Sequence, residues 1–193
     1  MNYDYVLHSN GINYGIIKGN GKIVFIKSGL GGDHFGYENK YLIIASRLYE
    51  NHGCSVIVSS NPNDGKSHVL EDGKIIRQYI SEDGISSPEL FFFGHSNGGI
   101  KGLELANANI SFSKMILINM PLMINLHKTE RYILSIPQTE IIAIYGEHDP
   151  SFRYLPFIQG KAANLKIKTV KQADHNFKDM DTEFISLCDL LMS

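Results

Sequence analysis

The sequence predicts a three-layer α/β/α sandwich, with a mostly parallel sheet of eight strands in a single domain over residues 1–193. The main observation is alternation. From residue 22 onward, short apolar runs of strand length alternate with segments of helical periodicity. This pattern implies parallel strands, right-handed crossovers and helices on both faces of the sheet. The second observation is the length, because 193 residues suit one domain with a sizeable core.

The first two strand-like segments break this alternation. Residues 3–9 and 12–19 are separated by Asn10-Gly11, the strongest short signal of a β-hairpin. A second Asn-Gly pair, at 20–21, marks a turn before residues 22–28, whose apolar run KIVFIKS is typical of a buried strand. We therefore expect an antiparallel hairpin that leads into a central parallel strand.

The later elements follow in order along the chain. After the glycine-rich loop GLGGDHFG, apolar residues recur at helical spacing until Gly53, a residue type that often ends helices. Further strands are predicted over 54–60, 89–94, 114–120, 140–146 and 165–171. Helices are predicted over 37–52, 67–80, 99–108, 126–134, part of 151–163, and 180–193.

Composition excludes several classes of function. The net charge is −2 with acids and bases interspersed, so we expect neither a nucleic-acid partner nor a membrane partner. No apolar run approaches the roughly 20 residues that span a bilayer, and residues 1–11 do not resemble a signal peptide. Cys54 and Cys188 have no metal-ligand spacing and are expected to be buried thiols in a reducing cytoplasm. We expect no cofactor and no metal.

One short motif suggests a nucleophile. The apolar strand that includes FFF at 91–93 runs directly into Gly94-His95-Ser96-Asn97-Gly98, which has the form G-x-S-x-G. A sharp turn between a central strand and a helix would lift the Ser96 hydroxyl out of the sheet. Glycines on both sides allow the two backbones to approach closely.

Two other strands end in residues that would complete such a site. The strand over 140–146 is followed by Glu147-His148-Asp149, and the strand over 165–171 is followed by Asp174-His175. Because functional groups of open α/β sheets lie at the carboxyl ends of strands, a serine, an acid and a histidine should share one rim. Their chain order is Ser…Asp…His.

These motifs carry a family resemblance. Through GHSNGG, GEHDP and ADHNF, the chain resembles a small serine hydrolase of the α/β-hydrolase superfamily over essentially its whole length. The resemblance implies that Ser96 is the nucleophile, His175 the general base and then acid, and Asp149 the residue that orients the imidazole. It also implies an oxyanion hole made by the backbone N–H groups of Leu30 and Asn97.

Some assignments within this site remain open. Related hydrolases often have His-Gly where this chain has Ser28-Gly29, which leaves the support of the oxyanion loop unexplained. Asp174 competes with Asp149 for the acid role, and Asp149 also suits a helix N-cap. His95 is expected to support the turn around Ser96. Asn119 stands where some family members place the acid.

Residues 60–67, SNPNDGKS, support a rival interpretation because they nearly match the P-loop pattern G-x-x-x-x-G-K-[ST]. Ser60 replaces the first glycine, however, and Pro62 removes an N–H that would otherwise be available to a phosphate. Ser67 is better interpreted as a helix N-cap. A nucleotide-binding protein, or an inactive hydrolase fold that serves as a binding module, remains an alternative.

The substrate is expected to be a small acyl ester, with a thioester or an amide as alternatives, since the same triad attacks all three. Residues 121–139 leave room for one short helix and no cap domain. Leu122, Met123 and Ile124 are predicted either to form an apolar wall near Ser96 or merely to pack a helix onto the sheet. We expect a monomer or a homodimer.

Overall fold

The N-terminal hairpin forms where the Asn-Gly pair predicts it. In the computed structural model, which describes residues 2–193, β1 (Tyr5–Ser9) pairs antiparallel with β2 (Ile12–Ile17). Asn10 and Gly11 have φ values of 49° and 81°, the left-handed backbone that a tight two-residue hairpin turn requires. β2 also pairs antiparallel with β4 (Cys54–Ser59), and this pairing joins the hairpin to the main sheet.

The remaining strands form the parallel part of one eight-stranded sheet. The spatial order is β1-β2-β4-β3-β5-β6-β7-β8, and every pair from β4 across to β8 is parallel. This is the predicted architecture. The strands are β3 (Asn20–Lys27), β4 (Cys54–Ser59), β5 (Glu89–His95), β6 (Lys114–Ile118), β7 (Glu140–Gly146) and β8 (Leu165–Val170).

Helices cover both faces of the sheet and produce two separate apolar cores. The helices are α1 (Lys40–His52), α2 (Val69–Glu82), α3 (Asn97–Asn107), α4 (Leu122–Leu134) and α5 (Asp181–Ser186). One core includes side chains of α2, α3 and α4, and the other includes side chains of α1 and α5. The aromatic run of β5 divides between them, since Phe92 lies in the first core while Phe91 and Phe93 lie in the second.

Several predicted helix bounds differ from those in the structure. α4 begins at Leu122 rather than at residue 126, and its backbone is non-helical at Asn125, so an additional turn precedes the predicted helix. α2 begins at Val69 and has no side-chain cap, so Ser67 is not its N-cap. Within 151–163 the structure has only a 3-10 helix, Phe152–Phe157, which contains Pro156.

α4 and its flanking loops are all that lies between β6 and β7, so the fold has no cap domain. The carboxyl ends of the central parallel strands therefore open directly to the surface. None of the helices within residues 2–193 has the length and apolar character needed to cross a membrane.

Candidate active site

Ser96 occupies a strained turn between β5 and α3. Its φ is 55° and its ψ is −127°, a conformation that L-residues rarely adopt and that is typical of a nucleophile elbow. The turn requires a glycine at position 98, because a Cβ there would lie 2.3 Å from the carbonyl oxygen of Lys27. The sequence GHSNGG therefore forms the sharp strand-to-helix turn that its motif predicts.

Three predicted residues form one hydrogen-bonded chain. The Nε2 atom of His175 lies 2.8 Å from Ser96 Oγ, and its Nδ1 atom lies 2.5 Å from Asp149 Oδ2. Because the Asp149 carboxylate accepts a hydrogen bond from the Nδ1–H group, the ring proton stays on Nδ1 and the Nε2 atom carries the lone pair that can accept the serine hydroxyl proton. Asp149 is buried, and its other oxygen accepts the backbone N–H of Ser151 at 2.6 Å.

The structure separates the two competing acids. Asp174 uses its carboxylate within its own loop, where one oxygen accepts the N–H groups of Asn176 and Lys178, each at 3.0 Å. These bonds hold the pKa of the Asp174 carboxyl below its usual value. Asp149 is the carboxylate that contacts the imidazole, and it also caps the turn that follows it.

Two further residues hold the main chain of the histidine loop. The carbonyl oxygen of His175 accepts hydrogen bonds from His95 Nε2 at 2.7 Å and from Asn119 Nδ2 at 3.0 Å. Asn119 also donates to the carbonyl of Asp174 and accepts the N–H of Gly146, which leads into the acid turn. Asn119 therefore joins the two loops that carry the acid and the histidine.

His95 donates its hydrogen bond to the carbonyl oxygen of His175 in the neutral form. Burial is the main cause that lowers the pKa of its imidazole from 6.5 to about 4. Since a carbonyl oxygen only accepts, the proton of the neutral ring must lie on Nε2. The expected role of His95, support for the turn around Ser96, is too narrow, because its side chain reaches across to the histidine loop.

The proposed oxyanion loop lies against Ser96. An ideal Cβ on Gly29 would lie 3.4 Å from the Cβ of Ser96, and Leu30 lines the same cavity as Ser96. Within residues 2–193, the backbone N–H groups of Leu30 and Asn97 donate no hydrogen bond to a protein acceptor. Asn97 is the first residue of α3, where helix N–H groups have no partner within the helix. Both donors are therefore available to a ligand.

A surface cavity of about 530 Å³ opens beside Ser96. Its walls come mainly from the glycine-rich loop after β3, which includes the predicted residue Leu30, and from the residues at and just before the start of α1, whose contribution was not predicted. The glycines of GLGGDHFG were the available signal, since a backbone without side chains leaves room for a ligand. The lining includes Leu30, Asp33, Tyr37, Lys40, Tyr41 and His175.

The predicted apolar wall is not part of this cavity lining. Leu122 is fully buried in the core next to α4, and its backbone N–H donates to Ser151 Oγ at 3.0 Å. Met123 and Ile124 are 47% and 77% exposed, outside the residues that line the cavity. The three side chains therefore do not form one surface: Leu122 packs in the core, as the packing alternative expects, whereas Met123 and Ile124 face solvent.

Residues 60–67 do not form a phosphate cradle. Asp64 accepts the backbone N–H of Lys66 at 3.0 Å and pairs with His68, which places a carboxylate where a P-loop needs free N–H groups. Asn61, at the start of the same segment, is buried against the loop after β3. The segment therefore contributes to the hydrolase-like site rather than to a nucleotide site.

Comparison with known proteins gives matches only at the level of structure. No protein-family model and no curated protein sequence matches the chain. The chain is similar to Est1E from Butyrivibrio proteoclasticus, with a TM-score of 0.73 and 12% identity over 97% of this chain and 96% of that one. A second structure of Est1E, with a TM-score of 0.70 and 12% identity over 97% of each chain, contains bound ferulic acid.

Other solved structures extend the same likeness. An alpha-beta serine hydrolase homologue from Coxiella burnetii has a TM-score of 0.69 and 16% identity, over 100% of this chain and 98% of that one. The thioesterase domain from the curacin biosynthetic pathway has a TM-score of 0.66 and 14% identity, over 95% and 98% of the two chains. Together with the strand order and the elbow at Ser96, these neighbours show that the protein has the fold of the α/β-hydrolase superfamily.

Proposed function

We propose that the protein is a serine hydrolase that cleaves small carboxylic esters through an acyl-enzyme intermediate. The observation that carries this proposal is the continuous chain of hydrogen bonds from Ser96 through His175 to Asp149. Such a chain activates a hydroxyl that is otherwise a weak nucleophile. Two available backbone N–H groups beside the serine supply the other requirement of acyl transfer, a site for the oxyanion.

In the acylation step, Ser96 Oγ attacks the ester carbonyl carbon while His175 Nε2 accepts the hydroxyl proton. The carbonyl oxygen becomes an oxyanion, which the N–H groups of Leu30 and Asn97 stabilise. The tetrahedral intermediate collapses, the bond to the leaving alcohol breaks, and the imidazolium gives its proton to that alcohol. Asp149 stabilises the imidazolium and keeps the Nδ1 proton in place.

In the deacylation step, water takes the place of the alcohol. His175 accepts a proton from the water as its oxygen attacks the acyl-enzyme, and a second oxyanion forms in the same hole. The bond from the acyl carbon to Ser96 Oγ then breaks, and the imidazolium returns the proton to Oγ. The products are a carboxylic acid and the regenerated serine, so no cofactor or metal is required.

The open shape of the site favours small substrates. The cavity beside Ser96 holds about 530 Å³ and is not covered by a cap domain. Because the cavity is open to solvent, the part of an acyl chain that extends beyond its walls lies in water, where additional methylenes gain no burial. We therefore propose short acyl esters, with broad tolerance of the alcohol portion, as the substrates.

The proposal is tested by labelling and by a substrate panel. A fluorophosphonate probe should label the wild-type protein at Ser96, and mass spectrometry of peptides should locate the adduct. The panel contains p-nitrophenyl esters of increasing acyl length, a ferulate ester, an acyl thioester and an amide, since neighbours with this fold include Est1E and a thioesterase domain. Absence of Ser96 labelling together with measurable ATP binding would overturn the hydrolase assignment.

We propose a small-molecule acyl substrate as the partner, with no nucleic-acid or membrane partner, and a monomer or homodimer in the cytoplasm. Cys54 and Cys188 are both free and buried, which is compatible with a reducing compartment.

A further inference from the structure

The loop of the proposed oxyanion hole lacks the histidine that related hydrolases often place before its first glycine, and Asn61 lies where support is needed. Asn61 follows β4 and is 3% exposed. Its side-chain amide donates to the carbonyl oxygen of Ser28 at 3.0 Å, on the loop that carries Leu30. The same amide nitrogen lies 3.2 Å from the side-chain oxygen of Asn97, on the other side of the site.

The backbone of Asn61 holds the same loop at two more points. Its N–H donates to the carbonyl of Gly32 at 2.8 Å, and its carbonyl accepts the N–H of Gly31 at 2.7 Å. Because residue 62 is proline, Asn61 is restricted to an extended backbone, which suits this strand-like pairing. Leu30 thus lies between residues that Asn61 binds on both sides.

We propose that Asn61 is the positioning residue of the oxyanion hole, and that it sets the distance between its two N–H donors. One donor, Leu30, belongs to the loop that Asn61 binds through Ser28 and Gly31. The other donor, Asn97, begins α3 and receives the side-chain bond from Asn61. Asn61 contacts both halves without being a donor to the oxyanion itself. The inference rests on the hydrolase function proposed above.

Loss of the side chain should disturb the hole rather than the triad. Without Nδ2, the buried carbonyl of Ser28 loses a donor and the Asn97 side chain loses its partner. The backbone bonds of residue 61 remain, but nothing from this residue then joins the loop to Asn97, so the two N–H groups can shift relative to each other. An oxyanion hole acts only when its donors are placed for the tetrahedral intermediate, and a displacement near 1 Å can cost on the order of 10²-fold in rate. The carbonyl oxygen of the bound ester carries less charge than the oxyanion and interacts more weakly with these donors, so KM should change less than kcat.

The test compares Asn61→Ala with Asn164→Ala as a matched control. Asn164 is partly buried, whereas Asn61 is buried, and it likewise donates two side-chain hydrogen bonds, to the carbonyls of Ile136 and Thr139 at 3.0 and 2.8 Å, at the opposite end of the strands from Ser96. Asn61→Ala should lower kcat by about 10- to 100-fold and leave KM within about twofold. Affinity for a trifluoromethyl ketone, which forms a tetrahedral oxyanion with the serine, should fall by the same factor as kcat. Asn164→Ala should lower the melting temperature comparably and leave both values unchanged.

Asn97→Ala provides a second variant should Asn61→Ala fail to fold, since it removes the same side-chain bond from the other partner. It should lower kcat and ketone affinity in parallel, by a smaller factor than Asn61→Ala. The inference is overturned if Asn61→Ala, or Asn97→Ala in its place, retains wild-type kcat and ketone affinity. It is also overturned if Asn164→Ala lowers kcat and ketone affinity by the same factor as Asn61→Ala.

The failure of the proposed function is a different result. If the wild-type protein shows no hydrolysis that depends on Ser96, the proposed function has failed and the inference falls with it. An active wild type together with an unaffected Asn61→Ala overturns the inference alone.

Discussion

The Nε2 atom of His95 lies 2.7 Å from the carbonyl oxygen of His175, so the residue before the proposed nucleophile holds the main chain of the proposed base. The two imidazole rings lie 5.4 Å apart between centroids. His95 is buried and its pKa is lowered to about 4, so it stays neutral under ordinary conditions and adds no positive charge next to His175. The elbow and the histidine loop are therefore joined directly as well as through the Ser96 hydroxyl.

The first prediction concerns the serine and the histidine as one unit. Ser96→Ala and His175→Ala should each lower kcat by roughly 10⁶, and the double mutant should be hardly worse than either single variant. The expected non-additivity arises because each residue acts only through the other. Steady-state kinetics with a p-nitrophenyl ester measures the loss, and circular dichroism checks that the fold is intact. Substantial turnover by purified Ser96→Ala would refute the nucleophile assignment.

The second prediction separates the two acids. Asp149→Asn should lower kcat by about 10⁴, because an amide in this position favours the wrong imidazole tautomer. Asp174→Asn is the matched control, since it changes a neighbouring carboxylate that binds only backbone N–H groups of its own loop, and it should cost less than about tenfold. A larger loss of kcat in Asp174→Asn than in Asp149→Asn would show that Asp174, and not Asp149, is the acid of the triad.

The third prediction concerns stability and pH. Because the folded-state pKa of His95 lies below that of an exposed histidine, the unfolded chain binds the proton more readily between pH 6.5 and about 4. The contribution of neutral His95 to the free energy of unfolding is therefore fully present above pH 6.5 and is lost as the pH falls through about 4. The difference between the two pKa values corresponds to about 3 kcal/mol.

Urea unfolding of the wild type and of His95→Gln at pH 7, 5.5 and 4 isolates this contribution from that of the carboxylates, which both proteins share. The wild type should lose about 3 kcal/mol more than the variant between pH 7 and pH 4. Parallel curves for the two proteins would show that His95 titrates normally and is not buried in a neutral form.

The fourth prediction concerns substrate size. The value of kcat/KM should rise over a few acyl carbons, by about 1 kcal/mol of transition-state binding for each buried methylene, and should fall once the chain leaves the cavity. No jump in rate should occur above the critical micelle concentration, since no cap domain can move. A steady gain out to long acyl chains would instead indicate a deep pocket that this conformation does not contain.

The sequence by itself determined the sheet, the hairpin and the turn at Ser96. These features depend on local signals: alternating apolar runs, the Asn10-Gly11 pair, and glycines around a serine at the end of an apolar strand. Each signal acts through the backbone of a few neighbouring residues, so spacing alone was sufficient to locate it.

The tertiary structure decided which side chains meet. Asp149 and Asp174 are both acids that follow late strands, and only the contact with His175 distinguishes them. The sequence did not predict the contacts of Asn61 and Asn119, because their partners lie in loops after other strands and far away in the chain. Leu122, Met123 and Ile124 were predicted either to form a wall near Ser96 or to pack a helix onto the sheet. Leu122 is buried in the core, as the packing alternative expects, whereas Met123 and Ile124 are exposed. Which of the three is buried depends on how this first turn of α4 packs against the rest of the fold, and the local sequence does not specify that packing.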